Sequence, residues 1–163
     1  MLSTGAVVLC GLVLLVSAVS KVRGRADYAD FVASVPAFGV PARWTRVFAV
    51  LTVVAEFGTA ALLLVCPPAG LVLAAGLFAV LTAAVWRAVS RRSGAVCRCF
   101  GRARTTLTRR HVARNVFLLA VAVFGLLAPA TAADPVALGL AAVVGAVGAA
   151  LVVRFDDLAD LLA

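Results

Sequence analysis

The sequence predicts an all-α membrane protein, a compact bundle of about five transmembrane helices forming a single integral membrane domain over residues 1–163. Three observations carry this prediction. Of the 163 residues, 64% are hydrophobic and 13% charged, with a mean hydropathy of +1.14, whereas about a quarter of the residues in a soluble domain are charged. The apolar residues gather into five runs, each close to the ~20 residues that a spanning helix requires. The basic residues cluster beside alternate connections between those runs. Five spans use roughly 100 residues, which leaves too little chain for a separate soluble domain. The net charge of +8 is the balance that basic loops flanking membrane helices produce, so no nucleic-acid partner is inferred from it.

The first run, 2–20, contains no charge, and Lys21, Arg23 and Arg25 follow it at once. A signal peptide carries its positive charge before the apolar stretch and small residues at its cleavage site. The reversed order predicts an uncleaved first helix with its N-terminus outside; a cleaved signal ending near Ser20 is the competing reading. Tyr28, Phe31, Val32 and Val35 then follow the i, i+3, i+4, i+7 spacing of one helical face, with Asp27, Asp30 and Ser34 elsewhere on the wheel. This predicts a helix lying in the interface and ending before Pro36. Further spans are expected at about 47–65, 71–86, 112–127 and 136–153, with Pro67-Pro68 and the stretch from Pro129 to Pro135 as short breaks. In the last span, Ala141, Gly145 and Ala149 form a small-residue stripe suited to close helix packing, although alanine and glycine richness alone also produces one. The tail sets Phe155, Leu158, Leu161 and Leu162 against Asp156, Asp157 and Asp160, a weak repeat of the amphipathic pattern.

All fifteen basic residues fall on one side of this arrangement. Lys21, Arg23, Arg25, Arg43 and Arg46 lie in or beside the first connection. Arg87, Arg91, Arg92, Arg98, Arg102, Arg104, Arg109, Arg110 and Arg114 lie in or beside the third, and Arg154 follows the last span. The positive-inside bias makes that side cytoplasmic. Trp44 and Trp86 fall at the same interface, where amphipathic rings anchor helix ends.

The four cysteines, at 10, 66, 97 and 99, are not equivalent. Cys97 and Cys99 sit in a polar loop with Arg98, Arg102 and Arg104 beside them, and cationic neighbours favour the thiolate that attacks disulfides or binds metal. In extended backbone their α-carbons are about 6.6 to 7.2 Å apart, at the upper limit of about 6.8 Å for a disulfide. The chain must bend to close the bond, with Gly94 and Gly101 available to help. Such a small ring suits an exchanging pair better than a permanent staple. Two competing readings are a chance proximity of unpaired thiols and a Zn2+ site with His111, which lacks a convincing fourth ligand; no metal is assigned. His111, the only histidine, otherwise reads as a polar residue at a helix entrance. Cys10 falls inside the first span and Cys66 at the outer end of the second, both far from the pair.

Glu56 interrupts the second span about midway, where an ionisable group is a functional candidate by default. Burial of a lone carboxyl favours its neutral form, suited to proton handling. A structural hydrogen bond to Thr52, Thr59 or Thr82 is the alternative. Arg114-Asn115 opens the fourth span and is placed to position a loop or an anionic group near Cys97 and Cys99; an ordinary flanking arginine explains Arg114 equally well.

A first span ending in Ser20-Lys21, the acid Glu56, the element Cys97-Arg98-Cys99-Phe100-Gly101 and Arg114-Asn115 together resemble the MauE family of methylamine utilisation proteins, grouped with DoxX-like membrane proteins. The resemblance covers about 5–130 and leaves the span at about 136–153 as an additional C-terminal helix on a four-helix core. It implies a multi-pass protein of the bacterial cell membrane associated with thiol-disulfide chemistry, linked to maturation of the disulfide-rich small subunit of methylamine dehydrogenase. It implies that Cys97 and Cys99 are the redox pair, with Glu56, Arg114 and Asn115 as supporting positions. The implied partner is a thioredoxin-like or disulfide-containing protein.

Disulfides of an exported substrate form outside the cytoplasm, whereas the charge count puts Cys97 and Cys99 inside. Electrons from a cytoplasmic thioredoxin-like protein, passed on by helix movement or by a quinone as the candidate carrier, are one resolution; a loop folded back into the bundle is another. The alternative function is a noncatalytic scaffold recruiting a redox partner through the arginine-rich loop. A transporter is disfavoured by the lack of paired broken helices. Reporter fusions are expected to place residue 1 outside and both the 87–111 loop and residue 163 inside; an external loop reporter would overturn the orientation.

Overall fold

The computed structural model describes residues 2–91, 96–97, 105–106, 109–128 and 134–155. Its long helices are α1 (Leu2–Val22), α3 (Thr45–Val65), α4 (Pro67–Ser90), α5 (Arg109–Leu127) and α6 (Pro135–Val153), with a short α2 (Arg25–Ser34) after the first. These five long helices have the length and composition to cross a membrane, so the fold is the all-α membrane bundle that the composition predicts. Two 3-10 turns, Val35–Phe38 and Ala42–Trp44, join α2 to α3. In the connection from α4 to α5, β1 (Val96–Cys97) pairs antiparallel with β2 (Thr105–Thr106), with Cys97 opposite Thr105.

Each long helix extends beyond its apolar run at one end, and α4 at both, because hydropathy marks the stretch in hydrocarbon and the backbone ladder continues into the flanking residues. The expected break at Pro67-Pro68 needs correction. Both prolines belong to the first turn of α4, where a missing N–H costs nothing and the fixed φ suits a helix. The break is Cys66 alone, at φ −139° and ψ 82°. Its N–H donates to the Leu62 carbonyl and its own carbonyl accepts from Gly70 N–H, so the tight hairpin leaves these groups paired.

Gly24 opens α2 in extended backbone, and the helix gives way at Ser34 to the turn that contains Pro36. That turn ends at Gly39, whose φ of 88° lies in the left-handed region that favours glycine. Along α2 and the turn, Tyr28, Phe31 and Val32 are half-buried and Val35 is buried, while Arg25, Ala29 and Ala33 are exposed. Asp27, Asp30 and Ser34 are half-buried as well, so burial spreads around α2 rather than following only the face that the spacing predicts.

α1 is the centre of the bundle and packs on α2, α3, α4, α5 and α6. Ala6, Leu9, Cys10, Val13, Leu14, Ser17, Ala18 and Lys21 are its buried residues, a broad helical stripe. Because lipid tails are as apolar as leucine, association inside a bilayer depends on close van der Waals contact and hence on small residues. A Cβ on Gly125 of α5 would come within 2.4 Å of Ala6 Cβ, and one on Gly145 of α6 within 2.6 Å of the Gly5 carbonyl oxygen. The Ala141, Gly145, Ala149 stripe therefore lies at a close helix contact. These pairings also fix direction: residue 5 meets 145 and residue 9 meets 148, so α6 runs parallel to α1, whereas residue 6 meets 125, so α5 runs antiparallel. Large apolar side chains such as Val54, Leu64, Phe124, Leu140 and Val147 point outward, as expected of a lipid-facing surface.

Gly145→Ile is expected to destabilise the bundle by about 1–3 kcal/mol through overpacking against the α1 backbone. Gly139→Ile, with nothing within 4 Å of the added Cβ, is expected to leave thermal unfolding in detergent unchanged. Equal melting temperatures for the two variants would refute the close contact.

Candidate functional site

Ser17 and Lys21 are one helical turn apart on the buried face of α1, and Glu56 lies midway along α3 on its buried face. A helical side chain leans toward the N-terminus of its helix, so the lysine stem runs back along α1 into the bundle. Its Nζ reaches Glu56 Oε1 at 2.8 Å and Oε2 at 2.9 Å. It also donates to Ser17 Oγ at 2.6 Å and to the Ser17 carbonyl at 3.2 Å, while the Ser17 hydroxyl donates to Glu56 Oε1 at 3.0 Å. The Lys21 ammonium sits 5.3 Å from the centre of the Phe31 ring, a cation–π distance. Lys21 is 3% and Glu56 1% exposed. Each charge is thereby satisfied by its partner and by Ser17, which is the condition for burying an ion pair at acceptable cost.

Beside this trio lies a cavity of about 510 Å3 bounded by α1, α2 with its following turn, α3, α4 and α5. Its deep walls are apolar, with Val13, Leu14, Phe78 and Leu118. Toward the arginine-rich end it is lined by Lys21, Arg87, Arg91, Arg114 and Asn115, under Val35, Phe38 and Gly39 of the 3-10 turn. A pocket of this size with a few convergent polar groups is the ordinary form of a small-ligand site.

The sequence-predicted residues divide between these features. Glu56 is buried midway along its helix as expected, but the lone, neutral acid gives way to a salt bridge. Of its three suggested threonine partners, Thr52 donates to the Phe48 carbonyl and Thr82 to the Phe78 carbonyl, while Thr59 is buried on the same helix. Lys21, read from sequence as one of fifteen interfacial cations, is turned into the protein. Arg114 and Asn115 are buried on α5 and line the cavity with Glu56. His111 stands in the first turn of the same helix, at its entrance as expected, and is buried there. Cys97 lies in β1, and Cys99 is outside the described residues. Cys10 is wholly buried in α1, and Cys66 is exposed at the end of the bundle where α3 turns into α4.

The residues that sequence reasoning missed are Ser17 and Lys21 as partners of Glu56. A signal existed, since both continue the buried stripe of α1 at i+4 spacing and a midspan acid requires a counter-charge. Among the described residues no group of three or more His, Cys, Asp or Glu side chains gathers to hold a metal ion.

Glu56→Gln strands the Lys21 ammonium, and breaking a buried pair costs about 3–5 kcal/mol. A large fall in thermal stability is therefore expected, with most of it recovered in the Lys21→Met, Glu56→Leu double variant. Full activity of a stable double variant would restrict the pair to a structural role, whereas a folded but inactive one would assign it to the chemistry.

No curated protein and no solved structure matches the chain. The family model described as methylamine utilisation protein MauE matches residues 1–128, from the start of the chain to the end of α5. This match spans the ion pair, most of the cavity wall and the Cys97–Cys99 connection, and the chain belongs to the MauE family of methylamine utilisation membrane proteins.

Proposed function

We propose that this protein exchanges thiols and disulfides through Cys97 and Cys99, and thereby supports disulfide formation or maturation of a partner protein in methylamine utilisation. The observation that carries the reading is the Cys97-Arg98-Cys99 element in an arginine-rich connection at the end of α4 and α5. Cys10 and Cys66 are poor candidates for the same work: one is enclosed in the core and the other sits at the far end of α3.

In the exchange, one thiolate of a partner dithiol attacks the Cys97–Cys99 disulfide and forms a mixed disulfide. The partner's second thiolate resolves it, so the partner is oxidised and the pair reduced by two electrons. A thioredoxin-like protein is the dithiol partner on the cytoplasmic side, and a membrane quinone, reduced to the quinol, takes the two electrons onward and restores the pair. Glu56, Arg114 and Asn115 act as supporting groups, and the whole chain works as one unit in the bacterial cell membrane with its arginine-rich end in the cytoplasm. By family, the ultimate substrate is of the methylamine dehydrogenase small-subunit type.

The test is thiol mapping of the purified membrane protein. One additional pair of alkylatable thiols is expected after mild reduction, both at Cys97 and Cys99. Changing either to Ser is expected to abolish function and to trap the other in a mixed disulfide with its partner. Retained function in the double Ser variant would remove the catalytic reading. It would favour a scaffold instead, in which neutralising Arg102 and Arg104 weakens partner binding in a salt-sensitive way.

A further inference from the structure

The cavity has two properties that the thiol chemistry does not use. Its polarity is graded along the bundle axis. At the arginine-rich end the lining carries Lys21, Arg87, Arg91 and Arg114, and the sole carboxylate among its lining residues, Glu56, already binds Lys21. Toward the middle of the bundle the lining is Val13, Leu14, Phe78 and Leu118. The second property is a lateral opening. Phe48 of α3 and Val80 of α4 both line the cavity, yet they are 48% and 66% exposed on the lipid-facing surface. The cavity lining thus continues onto the outer surface between α3 and α4.

We propose that this cavity binds one acyl-chain amphiphile with an anionic head, admitted from the membrane, the head against Arg87 and Arg91 and the chain between the phenylalanine and leucine walls. Arg87 lies in the last turn of α4 and Arg91 follows the helix four residues later, both exposed, and Arg91 Nη1 leans within 3.7 Å of the Cβ position of Gly39, at the rim of the cavity. A carboxylate or phosphate there meets two guanidinium groups with fork geometry for anionic oxygens. A zwitterionic head loses part of that attraction to its own cation. An uncharged ring gains nothing from it. The proposal does not rest on the redox reading, since every residue that it is argued from lies outside the connection that carries Cys97 and Cys99.

Native mass spectrometry of the whole protein in detergent, with palmitate, phosphatidylglycerol, phosphatidylcholine and a prenyl quinone added in turn, tests it. The expected result is one saturable adduct, with an anionic ligand held more tightly than phosphatidylcholine; preference for palmitate or for phosphatidylglycerol identifies a carboxylate or a phosphate head. The Arg87→Gln, Arg91→Gln double variant changes only exposed side chains and is expected to weaken the anionic adduct by about tenfold or more, at about 1 kcal/mol per arginine. Leu81→Trp, which adds bulk to the cavity wall, is expected to remove the adduct while both arginines remain. The Cys97→Ser, Cys99→Ser variant is expected to bind as the native chain does, which separates this proposal from the exchange reaction. Equal retention of phosphatidylcholine, preferential retention of the quinone, or an anionic adduct indifferent to Leu81→Trp would each overturn it.

Discussion

Two opposite charges, on Lys21 and Glu56, sit inside a molecule whose surroundings are hydrocarbon, and much of the bundle is arranged to keep them together. An ion pair removed from water is tolerable only when its remaining hydrogen-bonding capacity is met. Here Ser17 both accepts from the ammonium and donates to the carboxylate, and Phe31 presents its ring to the same nitrogen. The pair also specifies position. Apolar side chains in lipid slide past one another at little cost, because no hydrophobic drive favours one register. A shift of α1 along α3 by one helical turn would separate the charges, so the pair holds the two helices in a single register.

Around that fixed point the remaining contacts depend on small residues. α1 presents its stripe to α3 and α5, and the Gly5 side of the same helix receives Gly145 of α6. The family match ends at residue 128, before α6, which docks on the central helix by backbone proximity. Its outer face, with Val136, Leu140 and Val147 exposed, is left to lipid.

The cavity follows from how α3 and α4 are joined. At the Cys66 end they meet backbone to backbone, with the Cβ position of Gly70 only 2.6 Å from Leu63 Cα. At the other end the turn Val35–Phe38 packs against both helices, and the space beneath it is the cavity. The turn, the ion pair and the buried Arg114-Asn115 thus line one cavity, and a ligand in it would bear directly on the helices that flank the cysteine connection.

The number of spans, their alternating direction and the end at which the basic residues gather were all legible in the chain itself. A run of about 20 apolar residues is a local property that needs no partner to be recognised, and the short helix α2 before Pro36 was readable because Tyr28, Phe31, Val32 and Val35 repeat within two turns. The buried position of Glu56 followed from its depth in a span. Its partner did not, because a lysine at the end of an apolar run belongs to the interface by every local rule. Lys21 and Glu56 are 35 residues apart, and only the packing of α1 against α3 decides whether that side chain turns outward to lipid headgroups or inward to the carboxylate. The same reason hid the cavity and the gathering of Arg114 and Asn115 at its wall: sequence shows which residues share a helical face, whereas the tertiary structure decides which face meets which.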